Sequence, residues 1–179
     1  MARIPQITDR SQVAEDERHH ADAIIASRGG IGPPYNVLLH SPDIAARTAH
    51  LAGYSIFESP MPLDVKEIAI STAARGLNCE FAFASHIGLA REAGVSPDTI
   101  EVIISGGSTE GLKSDEGQIV DFVRHILKPP NRVPDALFAE LENRFGVATL
   151  VELTGIIGAY AALACTLNVF EVPAPEGSA

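Results

Sequence analysis

The chain has 179 residues, of which 46% are hydrophobic, and a formal net charge of −10. This length and hydrophobic content indicate one folded domain with its own core and exclude an intrinsically disordered protein. The acidic balance and the lack of a basic stripe argue against a nucleic-acid partner, and two cysteines are too few for a disulfide framework. We therefore expect a cytoplasmic protein, and the polar first ten residues, broken by Pro5, are not expected to act as a signal peptide.

Helical spacing of apolar residues recurs along the chain, and no strand-like alternation persists, which predicts an all-α fold. Glycine, proline and capping residues divide the pattern into seven or eight helices without an internal repeat. In chain order, the predicted helices are one capped by Asp9 or Ser11 and ending near Arg28, then Ser41 to about Phe57, 63–77, 79–93, 97–105, 115–127, 134–144 and 147–170. The tail, residues 173–179, is rich in Pro, Gly, Ser and Glu and is predicted to be loose.

One apolar segment, Leu150 to Phe170, is long enough to span a bilayer. It also contains Glu152, Asn168 and two glycines, and its mean hydropathy is modest. A buried core helix or an interface helix is therefore favoured over a membrane span.

Two consecutive predicted helices carry the residues with the most reactive side chains. Cys79, Phe83, His86 and Ala90 lie at i, i+4, i+7 and i+11, so one helix face presents a thiol and an imidazole. Twelve residues before the cysteine, Glu67 lies on an apolar stripe of the preceding helix. A carboxylate is costly to bury, so it must find a partner, take up a proton or take part in chemistry. Together these side chains predict a proton-handling site.

Residues 67–94 read EIAISTAARGLNCEFAFASHIGLAREAG and resemble the carboxymuconolactone decarboxylase family, which includes the alkylhydroperoxidase D proteins. The peroxidase branch has Glu, eleven residues, Cys, two residues, Cys, three residues and His. Glu67, Cys79 and His86 match the first, second and last of these positions, whereas Ala82 occupies the second cysteine position. The segments 39–42 and 167–170 also resemble the family.

The resemblance implies an alkylhydroperoxidase D-like helical bundle, with residues 1–179 as a single domain and a core motif at 63–94. Members of the family are homo-oligomers, often trimers or hexamers. We expect apolar faces within residues 51–57 and 147–170 to supply the subunit contacts. A small molecule is the other expected partner, without nucleic acid or membrane.

The resemblance also implies a reaction. Because the cysteine pair is missing, we expect a cofactor-independent lyase that acts on a small organic acid or lactone. His86 would donate or accept a proton, Glu67 would orient it and Cys79 would line the pocket. We expect the substrate to be bound by Phe83, which would form an apolar wall, and by Ala82, Arg75 and His40.

Two other functions stay open. Cys79 is a candidate thiol for a peroxidase or redox protein that would be recycled by an external thiol or by Cys165. The chain is also compatible with a non-catalytic oligomeric domain that binds a ligand. No cofactor or metal is expected, since neither HExxH nor CxxC spacing occurs.

Overall fold

The computed structural model describes residues 2–175, and within that range the regular secondary structure is entirely helical, which confirms the all-α prediction. Two 3-10 turns precede the first α-helix, and a π-helical turn follows the third. The eight α-helices are α1 Arg18–Arg28, α2 Tyr35–Leu38, α3 Pro42–Gly53, α4 Leu63–Gly76, α5 Glu80–Glu92, α6 Pro97–Ser105, α7 Ser114–Leu127 and α8 Asp135–Val169.

The described chain falls into two compact units. The first consists of residues 2–59 and 165–173, and the second of residues 60–164 and 174–175. In the first unit, α1 and α2 pack against α3 around a small apolar core that includes Ile24 and Leu39.

In the second unit, α4 is the central helix and packs against α5, α6 and α7. Ten consecutive residues of α4, 65–74, are buried. A helix that is covered on all sides must bury whatever polar side chains it carries, so each of them needs a partner or a function. The position of α4 therefore decides where the polar residues of this unit meet.

Most helix ends follow the predicted signals. Gly29 ends α1 with a φ of +78°, a left-handed conformation that glycine adopts without strain, and Pro42 is the first residue of α3. Asp9 caps the 3-10 turn Arg10–Gln12 and not α1, which begins eight residues later than the turn.

One other boundary differs from the prediction. The helix expected to reach about Phe57 is α-helical only to Gly53 and continues as the π-helical turn Tyr54–Glu58. The prediction that Gly146 separates two helices is confirmed, because Gly146 has the non-helical φ of 76° and ψ of 161° and divides α8 at a kink.

By length and composition alone, α8 is apolar enough to cross a membrane, but half of its most apolar 18-residue window is buried inside the protein. The core helix of a soluble protein has the same properties, so this is weak evidence for a span. Of the tail predicted to be loose, residues 173–175 have no regular secondary structure, and residues 176–179 lie outside the described residues.

Candidate active site

A short connection joins α4 to α5. Asn78 has a φ of +51°, a left-handed conformation that asparagine tolerates better than most residues. The backbone N–H of Cys79 donates to the carbonyl of Ala74 at 2.9 Å, and that of Leu77 donates to Ala73 at 3.0 Å. The chain therefore reverses within three residues, and α5 packs along α4.

This hairpin brings Glu67 and His86 into contact. Nδ1 of His86 lies 2.8 Å from Oε2 of Glu67, and the two side chains are 14% and 6% exposed. Since an ionised carboxylate can only accept, Nδ1 carries the proton in this pair. Nε2, the other ring nitrogen, makes no hydrogen bond among the described residues. The arrangement fixes the imidazole with one nitrogen bound and the other open, as in a general base.

An aromatic side chain also packs against the imidazole of His86. Tyr160, from the part of α8 that belongs to the same unit, contacts the ring edge-on, with centroids 5.0 Å apart and an interplanar angle of 89°. Tyr160 is 4% exposed. Sequence reasoning missed this residue because it lies in a long apolar run, 74 positions after His86, where no local spacing connects the two.

Cys79 is the N-cap residue of α5, and it is 1% exposed. The positive end of the helix dipole lies at this position. Ala82, at the position of the second cysteine of the peroxidase motif, is 5% exposed and presents only a methyl group. Cys165 is exposed and belongs to the first unit.

Arg75 and Phe83 lie together at the hairpin. The guanidinium carbon of Arg75 is 5.5 Å from the centroid of the Phe83 ring. Nε of Arg75 donates to the carbonyl of Ile104 at 3.0 Å, and Nη1 lies 3.4 Å from a carboxylate oxygen of Glu80. These contacts link α4, α5 and the end of α6, so Arg75 already has a structural role besides its predicted one in substrate binding.

His40 belongs to the first unit, where its Nε2 lies 2.7 Å from the carbonyl of Pro5. This backbone contact engages the ring nitrogen that would otherwise be available to a ligand. The substrate-binding role of His40 stays a prediction.

Besides Glu67, α4 buries three polar side chains that the sequence pattern did not identify: Lys66, Ser71 and Thr72. The hydroxyl oxygens of Ser71 and Thr72 have no hydrogen-bond partner within the described part of the chain. An unpaired buried hydroxyl costs about 1–3 kcal/mol. Ser71 follows Glu67 by one helical turn, so the polar character of this helix extends beyond the Glu67–His86 pair.

The described residues contain no group of three or more His, Cys, Asp and Glu side chains arranged to hold a metal ion. The residues in contact can support proton transfer at His86, and the thiol of Cys79 lies at the N-cap of the same helix.

Residues 42–112 match the model of the carboxymuconolactone decarboxylase family. This segment contains Glu67, Cys79 and His86. No curated protein matches the chain.

Solved structures show the same fold. The alkylhydroperoxidase AhpD core of an uncharacterized peroxidase-related protein from Ralstonia eutropha JMP134 is 13% identical, with a TM-score of 0.77 over 99% of this chain and 94% of that one. The debrominase Bmp8 is 13% identical, with a TM-score of 0.74 over 98% and 94%. A cysteine-to-alanine variant of Bmp8 in complex with 2,3,4-tribromopyrrole also matches. The protein of unknown function ATU0492 from Agrobacterium tumefaciens is 20% identical, with a TM-score of 0.66 over 78% and 96%. At these identities the likeness shows the fold alone.

Proposed function

Because residues 42–112 match the model of the carboxymuconolactone decarboxylase family, we propose that the chain is a member of this family. We propose further that it is a cofactor-independent enzyme that transfers a proton through His86 on a small organic acid or lactone. One observation carries the proposal: a buried carboxylate, Glu67, holds Nδ1 of His86 at 2.8 Å and leaves Nε2 open. Oriented imidazoles of this kind act as general acids and bases, and the carboxylate stabilises the protonated ring.

The reaction that fits this pair is the loss of CO₂ from a carboxylate conjugated to a carbonyl group. The carbon–carbon bond to the carboxylate breaks, and its electron pair moves into the conjugated system as a dienolate. The imidazolium of His86 then delivers one proton to the carbanionic carbon and recovers a proton from water. The apolar side chain of Phe83 supplies a wall that disfavours the charged carboxylate relative to neutral CO₂.

Proton transfer is preferred over thiol chemistry for two reasons. Ala82 removes the local partner that would resolve an oxidised Cys79 as a disulfide. The thiol of Cys79 is also buried, which limits its access to peroxide. By contrast, the acid–imidazole pair is complete within a single unit of the protein.

Replacement of His86 tests the proposal. The assay follows loss of 4-carboxymuconolactone and release of CO₂ by the parent protein, by His86→Ala and by the control His125→Ala, which changes an exposed histidine on α7. We expect His86→Ala to slow turnover by about 10²–10⁴-fold and the control to leave it unchanged. An inactive parent protein would remove this substrate, and an unchanged rate in His86→Ala would remove the role of the imidazole.

A thiol-dependent peroxidase or redox protein is the second candidate. The observation in its favour is the location of Cys79 at the N-terminus of α5, together with a fold shared with a peroxidase-related protein and a debrominase. Mass spectrometry after treatment with peroxide and dimedone separates the candidates. A sulfenic adduct on Cys79 in the folded protein would support the redox function, and modification confined to Cys165 would exclude it.

If neither reaction occurs, a non-catalytic ligand-binding domain is the remaining candidate. We also propose a homo-oligomer, because large apolar side chains are exposed in both segments expected to form subunit contacts: Leu51, Ile56 and Phe57 in one, and Val147, Val151 and Val169 in the other. Light scattering coupled to size-exclusion chromatography measures the subunit number, and a mass of 18.9 kDa would contradict the proposal.

A further inference from the structure

A cavity lies in the first unit, between α1 and α3. Its volume is about 250 Å³, which is below the roughly 300–1,000 Å³ that drug-sized ligands occupy. The cavity is lined mainly by small side chains, with four polar residues among them: Ala23, Ile24, Ser27, Arg28, Ala46, Ala49, His50, Gly53 and Glu58.

Arg28 is held rigidly at this cavity. Nη2 donates to the carbonyl of Ala49 at 2.9 Å, and Nη1 donates to the hydroxyl of Ser27 at 2.6 Å. The guanidinium carbon also lies 4.5 Å from the centroid of the Tyr35 ring. The phenol of Tyr35 also engages the guanidinium, so at most two of its five N–H groups remain for a ligand.

The charge of Arg28 is not neutralised by the described residues, in which it makes no ion pair. Burial raises the pKa of Tyr35, against the opposing effect of Arg28, so its phenol is neutral at pH 7 and supplies no counter-charge. Arg124 is likewise held by backbone carbonyls, whereas Arg47 lies opposite Asp43.

We propose that this cavity binds a small monocarboxylate with a short apolar body. The guanidinium recognises the carboxylate through parallel N–H groups, which is the geometry that arginine favours. The alanine side chains and Gly53 provide apolar walls for a short alkyl chain. Glu58 also lines the cavity and disfavours a second negative charge on the ligand, so a monoanion is preferred over a dianion. The site is independent of the proton-transfer site, all of whose contacts lie in the other unit.

Gly53 offers a variant that blocks the cavity without unfolding the protein. Its φ and ψ of −62° and −48° are helical, so alanine is tolerated there. A Cβ at this position would lie 3.6 Å from Nη2 of Arg28, in ordinary van der Waals contact. The added methyl group therefore covers the guanidinium. Gly158→Ala is the matched control, because Gly158 lies within α8 and its Cβ would meet nothing within 4 Å.

The test is titration of the whole protein with sodium butanoate, followed by ¹H–¹⁵N NMR spectroscopy, with butanamide and succinate as comparison ligands. We expect saturable binding of butanoate with shift changes on α1 and α3, and binding at least about tenfold weaker for both comparison ligands. Gly53→Ala and Arg28→Gln should weaken butanoate at least tenfold, whereas Gly158→Ala and Arg47→Gln should not.

Three results would overturn the inference: equal binding of butanamide, unchanged affinity in Gly53→Ala, or no saturation at millimolar butanoate. Gly53→Ala keeps the test decisive if Arg28→Gln does not fold. Because the readout is the location of the shift changes and not turnover, its result does not depend on whether His86 is catalytic.

Discussion

Glu67 and His86 are 19 residues apart in the chain, and Oε2 of the one lies 2.8 Å from Nδ1 of the other. The contact exists because Asn78 allows α4 to turn back as α5, and because α4 is buried on all sides. This contact is the observation that most directly supports a reaction at His86, and it also determines the tautomer of the imidazole.

We predict that Glu67→Ala changes the tautomer of His86. In the parent protein the carboxylate holds the proton on Nδ1, and without that acceptor the preference is lost. ¹⁵N NMR spectroscopy of labelled histidine measures which nitrogen carries the proton. We also expect the free energy of unfolding to fall by about 1–3 kcal/mol, since a buried donor loses its partner.

Glu80→Ala is the control for that change, because Glu80 lies on α5 with an exposed carboxylate. Loss of an exposed ion pair changes stability by about 0–1 kcal/mol. Identical histidine spectra in the parent protein and Glu67→Ala would show that the Glu67–His86 contact does not exist in solution.

The two thiols are predicted to react at different rates. Cys165 is exposed and Cys79 is 1% exposed, so a thiol reagent such as DTNB should label one thiol rapidly and the other only after unfolding. Cys165→Ser should remove the rapid phase and Cys79→Ser the slow one. Rapid labelling of Cys165→Ser would instead mean that Cys79 is accessible, and it would strengthen the redox candidate.

Glu116, on α7, is predicted to stabilise the protein in a pH-dependent manner. Burial opposes the ionisation of Glu116. Its carboxylate accepts hydrogen bonds from the hydroxyl of Ser96 at 2.6 Å and from the amide of Ser96 at 3.2 Å, and from Thr99 and Lys113. These hydrogen bonds outweigh burial and lower the pKa of Glu116 below 4.5. Because the pKa is lower in the folded than in the unfolded state, this stabilisation is complete above about pH 4.5 and is lost as the pH falls through the folded-state pKa.

The variant Glu116→Gln measures this effect. Hydrogen bonds to a charged group contribute about 1.5–3 kcal/mol, so at pH 7 we expect the variant to lose about that amount of unfolding free energy. The difference from the parent protein should shrink below pH 4.5, as followed by urea denaturation. Glu101→Gln, at an exposed position on α6, should show no such trend, and a constant difference down to pH 2 would contradict the prediction.

Gly146 and Gly158 are predicted to respond in opposite ways to alanine. Gly146 has φ 76° and ψ 161°, a conformation that is almost restricted to glycine, so Gly146→Ala should destabilise the protein by about 1–3 kcal/mol. Gly158 is helical, and Gly158→Ala should stabilise it by about 0.4–1 kcal/mol. Thermal unfolding measures both. A higher melting temperature for Gly146→Ala would show that α8 is continuous in solution.

The hairpin could be predicted from sequence because its signals are local. Pro62 precedes α4, Gly94 follows α5, and both helices were placed to within one residue of the observed ends. The Glu67–His86 contact also follows from apolar spacing on two consecutive helices. The structure adds the distance between the two side chains and the ring nitrogen that makes the contact.

The features that escaped prediction depend on packing between distant segments. Tyr160 meets His86 only through tertiary structure, and the cavity beside Arg28 arises from the separation of α1 and α3. The π-helical turn Tyr54–Glu58 carries no sequence signal that distinguishes it from the end of an α-helix. Residue spacing alone likewise did not decide the reaction, because Ala82 removes the motif that would identify a peroxidase.

The short connection at Asn78 has a consequence for the order in which the protein folds. Contact between Glu67 and His86 closes a loop of only 19 residues, and such closure costs little chain entropy. Contacts between neighbours in sequence form faster than those between remote segments. We therefore expect the acid and the imidazole to meet before Tyr160, 74 residues after His86, packs against the ring.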